Sequence, residues 1–191
     1  MRAPTSRDVE KPVRALLDPP FARLGWQRPR ALVWVDPTTP LARPVSLAAS
    51  VEYRAQLFFS KWNGMAPLPN RCRLDFSGPF GGWPHMALLT PDEQTPIRTL
   101  IDDVRVRTDR HAFPEEMPAE VRRFFDRQTH PLPNPLTAQD IEMEYLTVSD
   151  LEAQTEYLAK VLPLMHARFM TTARDAPLQG SWHWTTGPDP E

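Results

Sequence analysis

Carboxylates are the side chains in this sequence most able to do chemistry. Five of them, Asp75, Asp102, Asp103, Glu142 and Glu144, could cluster around a divalent cation, as in a metal-dependent hydrolase. Glu142-x-Glu144 lacks the following lysine that would complete a restriction-type Glu-x-Lys pair. Carboxylates more often form the solvated faces of strands and helices, and such faces also suit a binding protein. A small metal-dependent hydrolase is therefore an alternative hypothesis.

The histidines and the cysteine give less indication of a metal site or a nucleophile than the carboxylates do. None of the five histidines pairs with another at a metal-ligand spacing such as H-x-x-x-H, and Cys72 is the only cysteine. Cys72 alternates with Leu74 and Phe76, which predicts a buried position in a strand. The sequence also lacks a nucleophile elbow, a phosphate-binding loop and a dinucleotide fingerprint. We therefore expect no enzymatic activity, no cofactor and no bound metal.

Charge is sorted along the chain. Residues 1–73 carry twelve Lys and Arg against five Asp and Glu, whereas residues 74–191 carry ten against nineteen. Such asymmetry bears on partners and on steering rather than on fold. The acidic half predicts a basic partner protein, with no direct contact to nucleic acid or membrane. The alternative is that the basic half packs over the acidic half and neutralises it.

The predicted binding residues are acidic side chains with two tryptophans as apolar anchors. Segment 138–160 is especially acidic, with six carboxylates against Lys160 alone. Charges of this kind speed encounter and reject wrong partners. Trp62 and Trp83 flank turns, where a tryptophan either plugs a corner or anchors a partner. The full set is Asp102, Asp103, Glu142, Glu144, Asp150, Glu152, Glu156, Trp62 and Trp83.

The elements that must position these residues indicate an α+β fold in a single domain, 1–191, with helices packed on one face of a mostly antiparallel sheet. Period-2 alternation predicts strands over 51–62, 71–76 and 141–147, and Asn63-Gly64 predicts a hairpin after the first. Helices are expected over 91–104 and 149–172. Capping boxes at Thr90/Glu93 and Ser149/Glu152 would open them, and Pro163 should kink or divide the second.

Shorter elements complete the prediction. A helix over 8–17 should stop at Asp18-Pro19-Pro20, because proline lacks the N–H that a helix needs. The remaining expected elements are strands over 31–35 and 86–89, a helix over 115–128, and a short strand carrying Trp182 and Trp184. The 23 prolines against seven glycines indicate stiff loops. A polar N-terminus, a single cysteine and the lack of a membrane-length apolar run predict a cytoplasmic protein.

One stretch resembles a known family. Leu57 to Leu89 contains an apolar strand ending in Lys61-Trp62-Asn63-Gly64, then an alternating strand and a short third strand. This pattern resembles the immunity protein 52 family of bacterial polymorphic toxin and type VI secretion systems. The upstream segment Leu17-Asp18-Pro19-Pro20-Phe21-Ala22 with Trp26 is also similar to that family. The similarity covers about the first half of the chain, which lacks the family's first strand and has a longer acidic second half.

The resemblance implies a cytoplasmic antidote without catalysis or cofactor. Such a protein would bind and block a toxin, commonly a nuclease with a basic active cleft, which suits the charge sorting. A structural or adaptor protein of a phage or secretion machine is the third hypothesis, beside the hydrolase. The genes next to this one would separate the three.

Overall fold

The computed structural model describes residues 4–37, 53–60, 69–78, 81–82, 85–112, 118–120 and 141–175. In chain order its elements are α1 (Ser6–Arg23), β1 (Gln27–Arg30), β2 (Val33–Asp36), β3 (Tyr53–Ser60), β4 (Asn70–Gly78), β5 (Gly81–Gly82), a 3₁₀ helix (His85–Leu88), α2 (Pro91–Ala112), β6 (Ile141–Tyr145) and α3 (Val148–Asp175).

The strands form one antiparallel sheet. β1, β2, β3 and β4 lie in sequence order, and β5 and β6 both pair with β4. Leu57 of β3, Leu74 of β4 and Ile141 of β6 stand in one cross-strand row, which fixes the register. The predicted β3–β4 hairpin is confirmed, although its turn lies outside the described residues.

The core lies between one face of this sheet and the helices. Alternate residues of β3, β4 and β6 are buried there, with Ala55, Leu57, Cys72, Leu74, Phe76, Ile141, Met143 and Tyr145 in a single cluster. Phe21 of α1 stacks on Trp34 of β2 in the same cluster, with ring centroids 4.7 Å apart. Ile97 and Ile101 of α2 and Leu151 and Leu158 of α3 join it. The predicted α+β fold with helices on one face of the sheet is therefore confirmed.

Helix α1 departs from the prediction because it continues through Pro19 and Pro20 to Arg23. Val9, Val13, Leu17 and Phe21 recur every four residues and are all fully buried. This apolar stripe outweighs the backbone hydrogen bonds that the prolines cannot donate. The helix ends at Arg23, and Gly25 follows it with a left-handed φ of 82°. Gly25 and Trp26 donate backbone hydrogen bonds to the carbonyls of Ala22 and Phe21, an arrangement typical of a Schellman motif.

Helix α2 begins as predicted and runs longer. The backbone N–H of Thr90 donates to Glu93 over 2.8 Å, and the Glu93 N–H donates to the Thr90 hydroxyl over 3.3 Å, so this capping box is confirmed. The helix ends at Ala112 rather than near 104. The expected strand over 86–89 is wrong, because the 3₁₀ helix occupies His85–Leu88. The Met86 carbonyl of this 3₁₀ helix and the Leu89 carbonyl just after it accept hydrogen bonds from the buried Gln94 side chain.

Helix α3 starts one residue earlier than predicted, with a different capping box. Asp150 accepts from the Thr147 N–H, and the Asp150 N–H donates to the Thr147 hydroxyl, so the box is Thr147/Asp150 rather than Ser149/Glu152. The helix continues undivided through Pro163. Strand β2 starts at Val33, because Leu32 has a left-handed φ of 68°. Apart from helical Ala119 and Glu120, the predicted helix 115–128 lies outside the described residues, as does the strand with Trp182 and Trp184.

Candidate interaction surface

The acidic strand β6 lies beside an arginine-bearing strand. In the β4–β6 register, Arg73 stands opposite Glu142 and Arg71 stands opposite Glu144, all on the face away from the core. The Arg71 guanidinium lies 3.6 Å from the Glu142 carboxylate and 3.8 Å from that of Glu144. Glu142 remains 49% exposed in this loose pair. Part of the acidic half is therefore neutralised by the basic half, as the alternative prediction stated.

Glu144 does not lie on a solvated face, contrary to the prediction from alternation. Its side chain is only 4% exposed, because α2 lies beside β6 and covers it. Arg105 of α2 donates two hydrogen bonds of 2.7 Å, from Nε to Oε2 and from Nη2 to Oε1. These hydrogen bonds raise the pKa of Arg105 above its usual value, although burial opposes them. Glu144 is thus paired inside the protein and is not presented to a partner.

A second arginine of α2 joins the two helices. Arg107 donates to Asp103 on its own helix over 2.9 Å and to Asp150, 43 positions away, over 2.6 Å. At the other end of α2, Glu93 pairs with Arg168 of α3 over 2.5 Å, and Tyr157 donates to the Glu93 carbonyl. The helices are therefore antiparallel, and the C-terminal half of α2 lies beside the first turns of α3.

Asp150 is held by several donors. Partial burial acts to raise the pKa of its carboxyl, but hydrogen bonds from Arg107 and from the backbone N–H groups of Thr147 and Leu146 outweigh burial and lower it. The side chain is 11% exposed. Asp150 consequently stays ionised, and its first role is to cap α3 and hold α2.

The remaining predicted carboxylates face solvent to different degrees. Asp102 and Glu156 are exposed, Asp103 is 63% exposed despite its bond to Arg107, and Glu152 is half-buried. We call Asp102, Asp103, Asp150, Glu152 and Glu156 the acidic helix surface. Asp102 acts electrostatically on Arg105, whose pKa it helps to raise, and no ion pair is seen for Glu152 or Glu156 within the part of the chain that the structure describes. Trp62 and Trp83 lie outside the described residues, so their role as anchors stays a prediction.

The five carboxylates considered for a hydrolase lie on three elements: Asp75 on β4, Asp102 and Asp103 on α2, and Glu142 and Glu144 on β6. Glu144 is bonded to Arg105. Over the described ranges, no three His, Cys, Asp or Glu side chains lie close enough together to hold a metal ion. Cys72 is buried as predicted, and burial raises the pKa of its thiol well above the usual range.

Sequence reasoning missed the groups that organise this surface. They are Arg71, Arg105, Arg107 and the buried Gln154, whose side-chain amide bonds both the N–H and the carbonyl of Glu144. A helical arginine at the surface gives no local signal of which carboxylate it will meet. The Thr147-x-x-Asp150 box was readable, because a hydroxyl three residues before a carboxylate at the start of an apolar stripe predicts a helix start.

Comparisons with protein-family models, with curated proteins and with solved structures found no match for this chain. Of the described helices, none has an apolar stretch long enough to cross a lipid bilayer.

Proposed function

We propose that this chain is a cytoplasmic immunity protein of a bacterial toxin system. It would act by binding its toxin, a nuclease with a basic active cleft, through the acidic helix surface. The family resemblance of residues 57–89 is the reason for the toxin hypothesis. The observation that carries the choice of surface is that Arg107 bonds both Asp103 of α2 and Asp150 of α3, which brings the C-terminal half of α2 next to the acidic start of α3.

The position of these charges in the fold favours a surface for a cationic partner. Glu152 lies in the first two turns of α3, where the positive end of the helix dipole stabilises negative charge. Asp102 and Glu156 are exposed, so their charges are available for steering. A nuclease cleft that binds phosphates carries Lys and Arg, the groups such carboxylates attract.

The exposed and the half-buried carboxylates of the acidic helix surface should contribute differently to binding. Charges at the rim of an interface mainly raise the association rate, and a field of this kind raises it by roughly 10–1000-fold at low salt. Asp103 and Asp150 already hold Arg107, so a partner would have to compete for them. We therefore expect Asp102 and Glu156 to control association, and Asp150 to act mainly by keeping α2 and α3 together.

The test starts from the product of the gene adjacent to this one. The wild-type chain should copurify with that product and should rescue a cell that expresses it. The double variant D102N/E156Q should associate about three- to tenfold more slowly at low salt, with a smaller difference at high salt.

The matched control is D92N, which removes one exposed negative charge at the opposite end of α2. Ten residues at 1.5 Å rise place Asp92 about 15 Å from Asp102 along the helix. At about 0.1 M salt, D92N should change the association rate by less than about twofold, because the screening length of about 10 Å is then shorter than this separation. If the wild type neither binds nor rescues, the antidote proposal fails. If it binds and D102N/E156Q behaves as D92N does, the function stands and the surface is wrong.

A further inference from the structure

We draw no further inference here: the strongest candidate, the face of the sheet turned away from the helices, where Phe58 is 39% exposed beside Arg73, carries none because nothing in the structure shows what covers it.

Discussion

Replacing Arg105 with methionine should destabilise the protein more than any substitution in its exposed ion pairs. Arg105 is the bidentate partner of Glu144, whose side chain is 4% exposed. The R105M variant would leave a buried carboxylate with only the Arg71 guanidinium, 3.8 Å away. An ionised group that loses its partner inside a protein keeps the cost of having left water.

Breaking a buried pair typically costs about 3–5 kcal/mol. Arg105 retains 20% exposure and Arg71 offers partial compensation, so the lower end of this range applies. We expect R105M to lower the free energy of unfolding by about 3 kcal/mol at pH 7. The double variant R105M/E144M should lose about 1 kcal/mol or less, because removing both charges leaves neither buried alone.

Urea unfolding measures these free energies, provided that the slope with denaturant is unchanged. The control is D103N, which removes the 63% exposed partner of Arg107 and should cost less than about 1 kcal/mol. A deficit of R105M equal to that of D103N would refute the reasoning.

Three further outcomes are expected. D150N should lower the free energy of unfolding by about 1–2 kcal/mol, because the amide oxygen can still accept from the Thr147 N–H but the charge that holds Arg107 is lost. Because the folded-state pKa of Asp150 is lowered, this carboxylate contributes stability above its unfolded pKa, and that stability is lost as pH falls. The free energy of unfolding of D150N should therefore fall less steeply with acidification than that of the wild type. Burial lowers the pKa of His166, although the Asp36 carboxylate opposes this effect. Protonation of His166 therefore favours the unfolded chain, and the stability of the protein should fall as pH drops below about 6.5. Thermal melts of H166Q should lack this loss of stability. L74A should cost about 2–5 kcal/mol in urea unfolding, because Leu74 is fully buried in the central strand; a cost below 1 kcal/mol would contradict the assigned register.

The sheet and its buried face were predictable from alternation alone. Cys72, Leu74 and Phe76 are buried as their spacing indicates, and Phe58, the apolar exception in β3, is exposed with the Arg73 guanidinium 5.2 Å from its ring centroid. Alternation is a property of neighbouring residues, so the sequence of one strand is enough to predict which of its side chains are buried. The prediction that Pro19 and Pro20 end α1 is wrong, because whether a helix continues past them depends on the sheet against which its apolar stripe packs.

The candidate surface was less predictable than the fold, because its residues meet across the chain. The period-2 pattern places Glu142 and Glu144 on one face, and both are there. Only the packing of α2 distinguishes them, since it buries Glu144 under Arg105 and leaves Glu142 half-exposed. No spacing rule links Arg105 to a carboxylate 39 positions later.

The negative charge of the second half of the sequence therefore has two roles in the structure. On β6, the negative charge meets Arg71 and Arg105 within the fold, and there it serves to hold strands and helix together. On α2 and α3, Asp102 and Glu156 stay exposed, and there it can act on another molecule. The two roles respond differently to salt: exposed charges are screened over about 10 Å at 0.1 M, while buried pairs are screened much less. Raising the salt concentration should thus slow association with a basic partner and leave the cost of R105M nearly constant, and a parallel decline of both would show that the Glu144 pair is solvated.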